Sequence, residues 1–127
     1  GCAAVGVESD FRAALVAYAG LTALEHTRVA QNAIEPEQPL PYVVFTATHA
    51  AEPVLLADAI DTAQISCECW AKTGLEAQAV AAQVRAAIAA KEAATASLAA
   101  WVSAEVGGFD AELGLDAQVL TVEWVAQ

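Results

Sequence analysis

The segment Asp58–Ala71, DAIDTAQISCECWA, decides the fold. From Ala63 it alternates: Ala63, Ile65, Cys67, Cys69 and Ala71 point one way, and Gln64, Ser66, Glu68 and Trp70 point the other. A period of two is that of a strand with one face on a core and the other toward solvent or a partner. The chain then enters KTGLEAQAVAAQVRAAIAA, Lys72 to Ala90, which has the period of a helix. This strand supplies the middle of a sheet and hands the chain to the helix that covers it.

Working outward, Thr73-Gly74-Leu75-Glu76 is an S/T-x-x-E capping box that fixes the helix start. Val80, Val84, Ala87 and Ile88 form its apolar face, Gln78, Gln83 and Arg85 sit away from it, and the pattern fades near Lys91. Leu98 to Val106 alternates again. Leu98, Ala100, Val102, Ala104 and Val106 are expected on one face, Trp101, Ser103 and Glu105 on the other, with Gly107-Gly108 as the break. FDAELGLD reads as an acidic turn, and Val119 to Val125 as the last strand, with Leu120, Val122 and Trp124 on one face.

Upstream, residues 1–7 read as an ordered arm or a loose tail. Ser9 or Asp10 is expected to cap a helix running to Tyr18 or Ala19, with Phe11, Leu15 and Tyr18 on one stripe and Gly20 as its stop. His26–Gln31 is a short strand candidate. Pro36, Pro39 and Pro41 then impose an extended link. Tyr42–His49, YVVFTATH, is rich in β-branched and aromatic residues and reads as a strand. Val43, Phe45 and Ala47 share one of its faces. Residues 50–60 read as a long hairpin connection, a length that is often functional. The predicted class is α+β: one domain over residues 1–127, a small antiparallel sheet with two helices packed on one face.

The chain of 127 residues suits one core. Its apolar fraction of 57% is largely Ala, so the core needs a few large anchors among many small side chains. Sixteen acidic residues against 5 basic give a net charge of −11. Such a chain cannot build a basic patch for nucleic-acid phosphates and is repelled by anionic lipid. No apolar run approaches a membrane span, and no signal peptide is expected. Gly1-Cys2 reads as the start left after loss of an initiator Met.

No catalytic constellation is visible: there is no G-x-S-x-G elbow, P-loop or H-E-x-x-H. Cys67 and Cys69 lie two apart on one strand face and read as small buried hydrophobes; no C-x-x-C pair or His spacing suggests a metal. His49, near Glu52 and Asp58, could form a His–carboxylate pair, against the plainer reading of a solvated strand-end histidine. No catalytic, cofactor-binding or metal-binding residue is expected, and hence no enzyme. Trp70 and Trp101 fall on the polar faces of alternating strands. Either the sheet is covered on both sides or these rings are partner contacts. With Glu105 they form the candidate subunit or partner interface.

In order and spacing these pieces resemble the small tail-terminator, or tail completion, proteins of long-tailed bacteriophages and phage-like particles. The resemblance runs over nearly the whole length. It rests on GLTALEHTRV (Gly20–Val29), LPYVVF (Leu40–Phe45), CECWA (Cys67–Ala71) followed at once by a helix, and VEWV (Val122–Val125). The chain departs from the pattern in its Ala-rich, Gly-poor 50–60 loop and in the acidic hairpin tip GGFDAELGLD.

The resemblance implies a structural virion subunit at the junction of tail and neck, made in the bacterial host cytoplasm. Such proteins form a hexameric ring on the last ring of the tail tube, stop its polymerisation and offer a surface to the head. Partners would be five further copies, tail tube protein and a head–tail connector or neck protein, with DNA passing through the lumen. No catalysis, cofactor or membrane is involved. The net charge suggests a repulsive lumen lining, with Glu52, Asp58 and Asp61 as candidates. The alternatives are a head-completion or neck connector protein, a small cellular ligand-binding domain or enzyme, and an acidic DNA mimic.

Overall fold

The computed structural model describes residues 6–25, 29–31, 40–49 and 61–126. The elements are α1 (Gly6–Ala17), α2 (Ala19–Glu25), β1 (Val29–Gln31), β2 (Tyr42–His49), β3 (Asp61–Ala71), α3 (Gly74–Ala94), β4 (Leu98–Asp110) and β5 (Leu115–Ala126). The five strands form one sheet in the order β1-β2-β3-β5-β4. β3 is its centre, as the alternation from Ala63 predicts. The class is α+β, with the helices on one face. Three helices are present among the described residues, and the β1–β2 pair is parallel, so the sheet is mixed.

The helix-facing side of the sheet is apolar. Val43 and Phe45 of β2, Ile65, Cys67 and Cys69 of β3, and Leu120, Val122 and Trp124 of β5 are buried there. Phe11 and Leu15 of α1 and Val80, Val84 and Ile88 of α3 close the core from above. Phe11 is the hinge pin of this packing. Its ring lies 5.1 Å from Phe45 and 5.7 Å, edge-on, from Trp124, so one side chain joins α1, β2 and β5. Small residues fill the space around these anchors: Ala77, Ala81 and Ala87 on α3 lie within 1% of full burial.

Thr73 caps α3 as expected. Its hydroxyl accepts from the Glu76 amide at 3.1 Å, and Glu76 accepts in turn from the amide of Lys72, one residue before the cap. The helix continues past Lys91 to Ala94, since residues 91–94 are good helix formers with no breaker.

Several expectations are overturned. α1 begins at Gly6, before Ser9 and Asp10, and so brings Val7 into the core. Gly20 is not a stop. The break falls at Tyr18, whose carbonyl accepts from the amides of Leu21 and Thr22 and so starts α2. Gly20 lies inside α2, where a Cβ would meet the end of the Gln83 side chain and the Tyr18 ring. It is there for close approach between helices.

The largest correction concerns β4. A bulge between Val102 and Ala104 shifts the register. Leu98, Ala100 and Val102 face the core as read from the sequence, but Ala104 and Val106 turn to the opposite face and Glu105 turns toward the helices. Gly107-Gly108 does not end the strand, because Gln118 and Ala117 of β5 pair with it. The strand expected over His26–Gln31 is present as β1 from Val29; residues 26–28, the linker at 32–39 and the loop at 50–60 lie outside the described residues.

Candidate assembly surface

The sheet has a second face that none of the described helices covers. Four strands cross it in register. Thr48, Gln64, Glu123 and Trp101 form one row, and Thr46, Ser66, Thr121 and Ala104 the next. These two rows are mostly polar and tied together by side chains, whereas the next row, Val44, Glu68, Val119 and Val106, is mostly apolar. Gln64 donates to Glu123 at 3.1 Å, and the Ser103 hydroxyl donates to the same Glu123 oxygen at 2.8 Å. The bulge makes the second contact possible, because it turns Ser103 back over β5.

Trp70 and Trp101 both lie on this face, as expected, but they do not form one patch. Trp101 is in the Gln64 row, six residues along β3 from Trp70, which is roughly 20 Å at strand rise. Trp101 is 49% exposed, on β4, which among the described residues is an edge strand. Trp70 is half-buried, and its indole N–H donates to Glu68 at 3.0 Å. Across the strand pair, Tyr42 faces Trp70, and burial together with the charge of Glu68 raises the Tyr42 phenol above its ordinary value.

Glu105 does not belong with the two rings. It is on the helix side, where Arg85 of α3 donates to one oxygen from Nε at 2.7 Å and also from Nη2, while Gln118 donates to the other oxygen. Burial pushes the Glu105 carboxyl up, but the Gln118 and Arg85 hydrogen bonds outweigh it, and the group sits below the ordinary carboxylate value. Gly107 makes room for this: a Cβ there would lie 3.1 Å from the Gln118 amide oxygen. Asp61 begins β3 in register with Ala126, at the end of the sheet away from the β4–β5 turn. Glu52 and Asp58 lie outside the described residues.

Three features have little or no sequence signal. His49 finds a carboxylate on α1: its Nε2 lies 3.1 Å from Glu8. The His49 hydrogen bond lowers the Glu8 carboxyl from its ordinary value. Between α1 and α3 a groove of about 330 Å³ is lined largely by alanines, with Tyr18 and Lys91 at its rim. At the other end of the molecule Leu75, Phe109 and Leu113 are exposed. Among the described residues no group of three or more His, Cys, Asp and Glu is placed to hold a metal, and no helix is long and apolar enough to cross a membrane.

Among the described residues, this sheet face, the β4 edge and the apolar tip have no covering element. The fold is similar to that of a chain in a structure titled "Virion of native gene transfer agent (GTA) particle". The TM-score is 0.74 at 20% identity, and the match covers 98% of this chain and 97% of that one. No curated protein matches by sequence. Residues 9–126 match the family described as Tail completion protein gp17. From the first turn of α1 to the last residue of β5, the chain belongs to the Tail completion protein gp17 family.

Proposed function

We propose that this single-domain protein is a structural, non-enzymatic virion subunit that caps the tail tube as a hexameric ring. The ring ends tube polymerisation and gives the head or neck a joining surface. Family membership over residues 9–126 carries the reading. The shape of the chain supports it. β4 is a 13-residue edge strand with no outer neighbour among the described residues, and a ring would cover such an edge. Trp101, beside that edge, is the partner contact, and Trp70 marks the far end of the same face.

The lumen is lined by carboxylates. Glu52, Asp58 and Asp61 are assigned to it, and the net charge of −11 per chain keeps passing DNA from sticking. The test is to add the purified protein to polymerising tail tube protein. Tubes of arrested length, each ending in a ring seen by negative stain, are expected. Tubes that keep growing while the protein binds the head-side connector instead would establish the alternative, a neck connector one ring further up. Trp101→Ala is expected to leave the fold intact and abolish capping.

A further inference from the structure

The geometry points to the subunit contact itself: the β4–β5 hairpin tip of one copy seats in the α1–α3 groove of the next. This deepens the ring reading and rests on it.

The tip is apolar where it has no reason to be. Phe109 is 64% exposed and Leu113 60%, and Leu75, at the start of α3 beside them, is 81% exposed. Asp116 ties the start of α3 to the hairpin end: it pairs with Phe109 in the ladder and lies about 4.0 Å from where a Gly74 Cβ would stand. Large exposed side chains clustered at one end of a small protein mark a contact. The turn itself carries carboxylates, Glu112 exposed on it and Asp116 beside it, while Lys72 is exposed at the end of β3.

The groove has the opposite character. Ala14 and Ala17 form one wall, Ala87 and Ala90 the other, and Tyr18 and Lys91 stand at the rim. Its volume of about 330 Å³ exceeds the roughly 150 Å³ that accepts a benzene ring in a dry apolar cavity. The chain has 5 basic residues in all, so a lysine at the rim of an apolar groove is a distinctive mark for an acidic-rimmed apolar tip.

Tip and groove sit at opposite ends of α3. Gly74 is beside the tip and Lys91 lines the groove, and the 17 residue steps from one to the other span about 25 Å of helix. One copy therefore cannot fill its own groove. The occupant is a second copy, joined head to tail, and a repeated head-to-tail contact closes into a ring when the rotation per subunit allows.

The test joins the two surfaces covalently. A chain carrying Leu113→Cys and Ala14→Cys, with Cys2→Ser, is oxidised alone and on tail tubes. Denaturing gels should then show a ladder of linked subunits ending at the ring, while either cysteine alone gives none. Light scattering on Phe109→Asp should show at least a tenfold higher concentration for half-assembly, with circular dichroism unchanged. Lys91→Glu should weaken assembly in the same way, and Glu112→Lys should restore it. Rings without a ladder, and unaffected by Phe109→Asp, would overturn this contact and leave the ring reading standing. Absence of both rings and ladder, on tubes as well as alone, would overturn both. A groove filled by residues 1–5 or by another virion protein would show as cross-links to those and would also overturn it.

Discussion

Arg85 of α3 and Glu105 of β4 are joined across the layer between helix and sheet, with Nε of the arginine 2.7 Å from the carboxylate. The pair exists because the bulge after Val102 turns Glu105 to the helix side. Both side chains keep contact with water, Arg85 at 47% and Glu105 at 25% exposure, so the pair is a modest brace. Arg85→Ala is expected to cost about 0.5–1 kcal/mol in urea unfolding at pH 7.

The pH dependence of that brace has a definite sign. The folded Glu105 carboxyl lies below its ordinary value of 4.5. Its stabilisation is therefore present above that value and is lost as pH falls through the folded pKa. Wild type should exceed Glu105→Gln in unfolding free energy at pH 6–7, and the two should converge as the solution is acidified below about 4. The same comparison holds for Glu8→Gln, because the His49 bond lowers Glu8 too. A gap that stays constant to low pH would remove the assignment.

Ser103 is one residue more than the β4 ladder needs. Val102 pairs with Val122 and Ala104 with Thr121, which are consecutive on β5. Deleting Ser103 leaves every other pairing in place and keeps Glu105 beside Arg85. The variant should fold with stability within about 1 kcal/mol of wild type, since what is lost is the exposed Ser103 hydroxyl, which reaches Glu123 and the Thr121 carbonyl. A double-mutant cycle on Arg85 and Glu105 should return the same coupling in both backgrounds.

What was legible in the chain follows the same physics. β3 announced itself because a buried central strand with one covered face must alternate, and Ala63 to Ala71 do so without exception. The α3 cap was legible because a capping box is a local event. The face of Glu105 was not, because a bulge is set by how two strands twist against each other and leaves little trace in one of them. Gly20 and Gly107 mislead for a related reason. Each looks like a breaker, yet serves a neighbour distant in sequence, Gln83 for one and Gln118 for the other. Trp101 was placed correctly on the uncovered face, whereas the groove between α1 and α3 needs two helices whose packing no single segment encodes.

Phe11 should be the costliest single truncation. It is fully buried and is the common member of the aromatic contacts with Phe45 and Trp124. Phe11→Ala removes the ring, leaves a cavity and forfeits two aromatic pairs, so a loss of about 3–5 kcal/mol is expected. The fluorescence of Trp124, 1% exposed in the wild type, should shift to longer wavelength as water enters. A loss below about 1 kcal/mol would mean that α1 is not anchored through this residue.

Gly114 and Gly108 should answer oppositely to the same change. Gly114 closes the β4–β5 turn at φ 67°, with its amide donating to the Asp110 carbonyl at 2.8 Å. Asp110 also holds the turn from its side chain, accepting from the amides of Glu112 and Leu113. A Cβ at Gly114 meets no neighbour, so the cost of Gly114→Ala is conformational, about 1–2 kcal/mol for an L-residue in the left-handed region. Gly108 is also in open space but is held in extended backbone within the ladder. There alanine removes entropy from the unfolded chain, and Gly108→Ala should gain a few tenths of a kcal/mol up to about 1. Thermal unfolding separates the two in one experiment. Equal effects would mean that the turn relaxes freely, and the tip that presents Phe109 and Leu113 would then not be a preformed surface.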